Sequence, residues 1–307
     1  MRRLALLGGV LLASVLEAAP LTDDAGQPWQ GAVPVNRLVV LAPHAVDMLL
    51  AMGAGDRIVG VVDDHDRRGA HAVSQSGHAV VADAFALNEE RLLALRPALV
   101  IVWGDGTPPQ QQARLKRLGL PVWMLQARTL DDIPRQLRQL GRLTGRSEAA
   151  EQQARAAEAA MADLRRQGAI AAPRLRYFYE IWSQPLYSLH GGHLLSQALA
   201  LCGADNILPA GPVPAPIVNP EHVLRANPDV IIHGRQDAAA IQARWRRFSG
   251  LSAARHGRFL AVDDPRLTRP GPGLITAVSP LCAQIADWRQ AVVPAGAGNV
   301  GKALGTR

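Results

Sequence analysis

The chain has 307 residues, of which 48% are apolar, so it is long enough for two domains and too apolar for an unfolded protein. Its formal net charge of +7 arises from 33 basic and 26 acidic residues, and the basic ones are almost all arginines scattered along predicted helices. Because nucleic-acid-binding surfaces gather basic and aromatic residues on one face, this scatter argues against a nucleic-acid partner.

The first 19 residues have the pattern of an export signal. Residues 1–3 include two arginines, residues 4–16 form an apolar run, and Ala18 and Ala19 are the small residues typical of a cleavage site. The apolar run is shorter than a helix that spans a bilayer. We therefore predict a cleaved signal peptide over residues 1–19 and an exported mature protein.

The next segment, residues 35–145, alternates short apolar runs with helix-forming runs, which is typical of a parallel sheet covered by helices. A polar loop, Asp63–Gly69, interrupts this alternation after the second apolar run. We interpret the segment as a first lobe. The predicted strands are Arg37–Leu41, Ile58–Val62, Leu99–Trp103 and Val122–Gln126, and the predicted helices are Pro43–Met52, Gln110–Leu118 and Ile133–Leu143.

A long helix-forming run follows the first lobe. Residues 147–167 are rich in Ala, Glu and Gln and contain neither glycine nor proline, so they predict one continuous helix. At 1.5 Å per residue such a helix is roughly 30 Å long. We predict that residues 146–168 link the two halves, and because a continuous helix resists changes of φ and ψ, we expect only small closure around a ligand.

The second half, residues 173–290, repeats the alternation of strands and helices. The predicted strands are Leu175–Ile181, Val230–Ile232 and Phe259–Val262, and the predicted helices are His193–Leu201 and Leu274–Trp288. Residues 291–307 are rich in glycine and alanine and are predicted to form a flexible tail. The resulting fold class is α/β, with two doubly wound lobes that contain mainly parallel sheets and are joined by one long α-helix.

One pattern occurs in both halves. Asn88 begins a predicted short helix with Glu90 in its first turn, and Asn219 begins another with Glu221 at the same place, 131 positions later. In each copy a proline ends the helix and a buried strand follows. Two matched carboxylates predict a partner that contacts both lobes at once. The alternative is that each carboxylate only complements the dipole of its own helix.

Cys202 and Cys282 are the only two cysteines of the chain. In the oxidising compartment that an export signal implies, they predict one structural disulfide within the second lobe. Such a bond would stabilise the fold by about 4 kcal/mol through loop closure. The alternative is a pair of buried thiols.

We find no motif of a phosphate loop, a dinucleotide fold or a nucleophile elbow, so we expect no catalytic activity. The loop Asp63–Asp66 remains as a polar cluster at the end of a buried strand, where parallel sheets hold ligands. The alternative is a solvated loop that pairs with nearby arginines. His190 and His193 have a spacing that suits a metal ion, but His193 is expected to cap a helix, and we expect no metal site.

Aromatic residues make up only 4% of the chain, so their positions carry information. Trp103 ends a predicted strand immediately before a glycine, and Tyr187 lies in the first loop of the second lobe. Large flat side chains at facing strand ends suit a broad, mostly apolar ligand. The sequence therefore predicts a ligand cleft between the lobes, with core packing as the alternative role of Trp103.

Together these segments resemble the periplasmic substrate-binding proteins of ABC importers for cobalamin. These proteins belong to a wider class, linked by a single helix, that also carries haem and ferric siderophores. The resemblance extends from Arg37 to Trp288 and rests on the order and spacing of several short segments. They are Val59–Val61, Asn88–Pro97, Leu99–Trp103, Leu201–Ile207, Glu221–Leu224 and Arg269–Pro272.

The resemblance implies a function and a set of site residues. A periplasmic monomer would capture a corrinoid as transported ligand, without a resident cofactor, and deliver it to an ABC permease. Glu90 and Glu221 would dock on arginines of that permease. The residues implied to contact the ligand are Asp64, His65, Phe85, Trp103, Tyr187 and Arg269, and Cys202 and Cys282 correspond to the disulfide of the family.

The chain departs from the cobalamin proteins at three positions of the implied cleft. Asp64 stands where those proteins have a tyrosine, and Ala84 and Ala215 stand where they have tryptophans. A cleft with less aromatic lining leaves haem or a ferric chelate open as the ligand. For haem, the expected axial ligand is His65, His190 or Tyr187.

Two hypotheses of other classes remain. A periplasmic metal-dependent hydrolase would use Asp63, His65 and Asp66, and would hold its metal through purification. A purely structural or interaction module is the other, and it leaves the matched glutamates of the two lobes unexplained.

Overall fold

The computed structural model describes residues 20–63, 77–83, 85–169, 172–235 and 237–292. The predicted signal peptide, residues 64–69 of the polar loop and the part of the predicted tail beyond residue 292 lie outside these residues. Among the helices that are described, none is both long and apolar enough to cross a membrane.

A five-stranded parallel sheet forms the first lobe. Its strands, in the spatial order β3-β2-β1-β4-β5, are β1 (Leu38–Leu41), β2 (Ile58–Val62), β3 (Ala79–Ala82), β4 (Leu99–Trp103) and β5 (Val122–Leu125). The central strands β1 and β4 are buried along almost their whole length. Strands covered on both faces need unbroken apolar sequences, which these two have.

In the described part of the first lobe, four helices cover the two faces of this sheet. They are α1 (Pro43–Ala51), α2 (Glu89–Ala94), α3 (Pro109–Arg117) and α4 (Asp132–Thr144). Leu38 and Val40 of β1 lie in one apolar cluster with α1 and α4, whereas Val39 and Leu41 lie in another with α2 and α3. This alternation follows from the two-residue period of a strand.

The 22-residue helix α5 (Ser147–Gly168) follows the first lobe and is roughly 33 Å long. Its small apolar side chains, including Ala150 and Ala154, belong to an apolar cluster that contains Ile101 of the first lobe and Ile285 of the second. The helix is therefore packed along its length against both lobes and does not cross open solvent as a free rod.

The second lobe contains a mixed sheet in the order β10-β9-β6-β7, with β8 paired to the start of β6. Its strands are β6 (Leu175–Ser183), β7 (Leu186–Ser188), β8 (Ala204–Asn206), β9 (Val230–Gly234) and β10 (Phe259–Val262). Only the β6-β7 hairpin is antiparallel among these described pairs. The helices are α6 (Leu194–Leu201), α7 (Pro220–Ala226), α8 (Ala238–Arg246), α9 (Ser252–Arg255) and α10 (Pro272–Val292).

The predicted fold class is confirmed, and every predicted strand occurs within two residues of its expected ends. The structure adds β3, β7, β8, α8 and α9. Strands β7 and β8 have only three residues each, too few to show a period. Helix α8 buries only Ile241 and Trp245 and carries no clear apolar stripe, which explains why its sequence did not indicate a helix.

Cys202 and Cys282 form the predicted disulfide, with their Cα atoms 5.6 Å apart. Both residues are fully buried. The bond joins the residue after α6 to the middle of α10, and it closes a loop of the second lobe that includes β8, β9 and β10.

Candidate functional site

A cavity of about 560 Å³ opens between the lobes, and we call it the main cleft. The first lobe lines it with Trp103 at the end of β4, with Asp105 after β4, and with Ala127 and Arg128 after β5. Loops at the carboxyl ends of parallel strands are the usual place for a binding site. The second lobe contributes chiefly Ile181, Leu189, His190, His193, Pro212 and Pro270.

Trp103 forms a flat wall of the main cleft and is held from several sides. The ring of His44 meets the indole edge-on, with ring centroids 5.3 Å apart. The hydroxyl of Thr107 accepts a hydrogen bond from the backbone N–H of Trp103 at 3.0 Å. A Cβ at Gly106 would lie 1.9 Å from the indole, so the turn can close over the ring only because residue 106 has no side chain. Trp103 is therefore a half-buried, pre-positioned surface rather than a free side chain.

His44 lies behind Trp103, at a position that no functional motif of the sequence indicated. It is buried, and neither ring nitrogen has a hydrogen-bond partner among the described residues. Burial, followed by the positive charge of Arg269, lowers the pKa of His44 from 6.5 to about 3. A neutral imidazole therefore supports the indole at neutral pH. A short helix start after a buried strand was the only signal for this position.

Arg269 lines a second, smaller cavity of about 220 Å³ together with His44, Asp47 and Arg266. The main cleft is lined by the chain neighbours of Arg269, Thr268 and Pro270. The guanidinium of Arg269 thus lies beside the residues that support Trp103.

The other predicted contact residues are more dispersed. Phe85 is 90% exposed, in a turn that Asp83 stabilises by accepting hydrogen bonds from backbone amides. Tyr187 is half-buried on β7 opposite Trp182, and in the described part of the chain it does not line the main cleft. Ala215 does line it.

Asp64 and His65 lie outside the described residues, so their predicted ligand contacts stay predictions. The same holds for the hydrolase hypothesis, because of its three residues only Asp63 is described. Across the described ranges, no group of three or more His, Cys, Asp or Glu side chains is placed to hold a metal ion.

His190 and His193 enter the main cleft from the turn before α6. The backbone N–H of Gly192 donates a hydrogen bond to Nδ1 of His190 at 2.9 Å, and the N–H of Leu195 donates to Nδ1 of His193 at 3.1 Å. His193 is thereby the N-cap of α6, as predicted. Burial, followed by the nearby charge of His190, lowers the pKa of His193 to about 4, although Asp105 opposes this shift.

Asp105 faces these histidines from the first lobe. Its carboxylate accepts a hydrogen bond from the side-chain amide of Gln126 at 2.6 Å, and the guanidinium of Arg128 lies 4.0 Å away. Because Arg128 is largely exposed, this ion pair is screened by solvent and contributes little to stability. The main cleft therefore combines an apolar floor with a small set of donors and one carboxylate.

The helices that carry Glu90 and Glu221 begin in the same way. The side-chain oxygen of Asn88 accepts a hydrogen bond from Arg91 N, and that of Asn219 accepts one from Glu221 N. Glu90 and Glu221 are both exposed, and neither forms an ion pair within the described part of the chain. Each helix leads into the amino end of a strand, so its own start lies on the side where the main cleft opens.

The two helices also end in the same way, which the sequence pattern did not reveal. Arg37 donates from Nε to the carbonyl oxygen of Leu95 at 3.1 Å, at the end of α2. Arg176 donates from Nη1 to the carbonyl oxygen of Ala226 at 2.8 Å, at the end of α7. Both arginines stand at the start of the neighbouring strand. The two lobes thus share one supersecondary unit, with its glutamate at an equivalent position.

Comparison with known proteins gives a family and close relatives. The family model described as "Periplasmic binding protein" matches residues 38–265. A vitamin B12-binding protein of Pectobacterium atrosepticum is 35% identical over 267 residues, which cover 85% of this chain and 91% of the relative. The crystal structure of the periplasmic vitamin B12 binding protein of Vibrio cholerae superposes with a TM-score of 0.73 and 32% identity, covering 84% of this chain and 98% of that one.

A periplasmic haem-binding protein from Roseiflexus sp. has the same fold, with a TM-score of 0.68 over 82% of this chain and 98% of that one. Its sequence identity is 22%, so this similarity concerns the fold alone.

Proposed function

Because this chain belongs to the periplasmic binding protein family, we propose that it captures cobalamin or a related corrinoid between its lobes and delivers it to an ABC importer. The observation that carries the proposal is the main cleft itself. It combines about 560 Å³ of space with a rigid indole wall, in a chain 33–35% identical to vitamin B12-binding proteins over more than 80% of its length.

The lining of the main cleft supports a bulky ligand that is neutral and mostly apolar. Trp103 offers a flat face for stacking, and Leu189, Pro212 and Pro270 offer apolar contact from the other lobe. Few polar groups converge on the space, which is typical of sites that recognise one large organic ligand. In this role the corrinoid is cargo, and the protein supplies shape, stacking and hydrogen bonds without covalent chemistry.

The exposed glutamates support the delivery step. Glu90 and Glu221 occupy equivalent positions on two lobes that α5 holds together, and both are exposed. A permease with two suitably spaced basic groups would contact both glutamates at once. Such charges at the rim mainly steer and orient the encounter. We propose further that residues 1–19 are removed on export and that the mature protein works as a monomer in the periplasm.

Calorimetric titration of the purified mature protein with cyanocobalamin tests the binding function. We expect saturable binding of one ligand per chain. The absence of any binding heat at micromolar ligand would contradict the proposal. Haemin and a ferric siderophore, titrated in parallel and followed by absorption, test the alternatives within the class. Tight binding of haemin with a shifted Soret band, in the absence of cyanocobalamin binding, would reassign the ligand.

A further inference from the structure

The two cleft histidines share a feature that decides which ring nitrogen carries the hydrogen. In each ring Nδ1 accepts a hydrogen bond from a backbone N–H two residues further on, in Gly192 and Leu195. A nitrogen that accepts such a bond has no hydrogen of its own, so the neutral ring carries its hydrogen on Nε2. No hydrogen bond within the described residues uses Nε2 of His190 or His193. Both rings therefore present a spare N–H donor to the main cleft.

This arrangement is the reverse of a metal-binding histidine. A ligating histidine gives the lone pair of one nitrogen to the metal and donates from the other nitrogen to a carbonyl or carboxylate. Ligation through Nε2 of His190 would require a hydrogen on Nδ1, and the bond from Gly192 would then be lost. The same conflict arises at His193, where the lost bond is the cap of α6.

The opposite wall of the main cleft supplies an acceptor. Asp105 lies on the first lobe and lines the main cleft together with both histidines. Its negative charge counteracts, as a minor contribution, the lowering of the pKa of His193. Arg128, the remaining charged group of this wall, is largely exposed and only 4.0 Å from Asp105, so the carboxylate partly neutralises it. The polar lining thus offers two imidazole donors on one side and a carboxylate acceptor on the other.

We propose that His190, His193 and Asp105 form a recognition set for the uncharged amide rim of a macrocycle, and that this set selects amides over carboxylates. The proposal rests on the proposed function and specifies the chemistry of the ligand. A primary amide has a carbonyl acceptor for the imidazole N–H groups and N–H donors for the carboxylate of Asp105. A carboxylate rim has acceptors only, so it would meet Asp105 as a like charge.

The test uses two ligands with the same corrin ring, cobalt ion and axial cyanides. Dicyanocobinamide carries amides at its rim, and dicyanocobyrinic acid carries carboxylates. We expect the wild-type protein to bind the amide form with an affinity about tenfold higher, or more. The carboxylate form loses at least one hydrogen bond and gains one repulsion with Asp105. Asp105→Asn should narrow this preference by improving the affinity for the carboxylate form.

The histidine variants His190→Asn and His193→Asn are designed to keep the local fold. Asparagine makes the same side-chain bond to the backbone N–H two residues on, so the turn and the helix cap persist, while the distant Nε2–H donor is lost. Each variant should weaken binding of dicyanocobinamide by about threefold to tenfold. His256→Asn, at the end of α9 and away from the main cleft, is the matched control and should bind like the wild type.

A spectroscopic experiment distinguishes hydrogen-bond donation by the two histidines from coordination of cobalt by one of them. Aquocobalamin has an exchangeable water on cobalt, so a ligating histidine would change its visible spectrum. We expect binding to leave the spectrum of the free corrinoid unchanged. A shift that disappears in His190→Asn or His193→Asn would overturn the proposal.

Two further outcomes are decisive. Equal affinity for the two rim chemistries, or histidine variants that bind like the wild type, would overturn the amide selection while leaving cyanocobalamin capture intact. A wild-type protein that binds none of these corrinoids, cyanocobalamin included, would overturn both this proposal and the proposed function.

Discussion

The side-chain amide of Gln197, in the second lobe, donates a hydrogen bond to the carbonyl oxygen of Arg128, in the first lobe, at 2.8 Å. The amide oxygen of Gln197 accepts a bond from Leu130 N at 3.3 Å, and the amide nitrogen also donates to Gly192 O at 3.0 Å. One side chain therefore ties together the two walls of the main cleft. Helix α5, packed against both lobes, and this bridge are the two connections from which we expect the separation of the lobes to change little.

Small closure around the ligand is the first expectation from this bridge. X-ray scattering profiles of the free protein and of the protein saturated with cyanocobalamin should superimpose, because the continuous helix α5 resists changes of φ and ψ and the bonds of Gln197 favour the separation seen here. Gln197→Leu should lower the free energy of unfolding in urea by about 1–2 kcal/mol, since it leaves backbone groups of Arg128 and Leu130 without their partner. Gln152→Leu, on an exposed position of α5, is the control. Large compaction on ligand addition would contradict the prediction.

The indole of Trp103 should account for much of the affinity. We expect Trp103→Ala to weaken cyanocobalamin binding about tenfold or more, because an aromatic face and its buried area are lost. Gly106→Ala should also weaken binding, although residue 106 is not part of the cleft lining, because its Cβ would displace the indole. Gly250→Ala, where a Cβ meets no atom within 4 Å, should leave affinity unchanged. Calorimetry measures all three, and wild-type affinity in Gly106→Ala would show that the position of the indole is unimportant.

Reversing the charges of Glu90 and Glu221 should abolish delivery of the ligand to the permease and leave capture of the ligand intact. The double variant Glu90→Arg, Glu221→Arg is expected to bind cyanocobalamin normally but to fail in uptake, because basic side chains would repel basic groups of a permease. Glu148→Arg, in the exposed first turn of α5, is a matched control for helix-start charge. The measurement is uptake of labelled cobalamin by cells that depend on this protein. Normal uptake by the double variant would refute the docking role.

His44 should make stability depend on pH. Burial and the charge of Arg269 lower its pKa from 6.5 to about 3, so the unfolded chain binds a proton below pH 6.5 while the folded chain stays neutral until about pH 3. The stability contributed by the neutral ring is thus present above pH 6.5 and is lost as pH falls through this range, by at most about 1.4 kcal/mol per pH unit.

His44→Phe keeps an aromatic ring beside Trp103 and removes the titrating group. The difference in unfolding free energy between wild type and variant should be constant above pH 6.5 and should decrease steadily below it. His222→Asn, at an exposed position of α7, is the matched control. A flat difference for His44→Phe between pH 6.5 and pH 4 would show that the ring is not buried as described.

The disulfide should contribute strongly to the second lobe. Cys202→Ala together with Cys282→Ala is expected to lower the free energy of unfolding by about 4 kcal/mol, since the loop it closes spans 80 residues. Urea denaturation of the oxidised protein, the reduced protein and the double variant measures this effect. Reduced protein and double variant should agree; an oxidised protein no more stable than either would contradict the prediction.

The amino-acid sequence alone determined the features that depend on neighbouring residues. Strand and helix periods, the Asn caps at Asn88 and Asn219, and the glycine-free run of α5 are local patterns, and the structure reproduces them. The disulfide could also be predicted from the sequence, because the chain has only two cysteines. The resemblance carried by short ordered segments led to the correct family.

Tertiary structure alone decided which residues surround Trp103 in the main cleft. His44 supports Trp103, Gln197 bridges the lobes, and His190 and His193 line the same cavity as Asp105. Each of these groupings joins residues about 60 or more positions apart. No local period encodes such a contact, because it depends on how two sheets and a shared helix pack. The tautomer of each cleft histidine, with its hydrogen on Nε2, also depends on folding. The backbone N–H of Gly192 or Leu195 points at Nδ1 only when the turn and the start of α6 have formed.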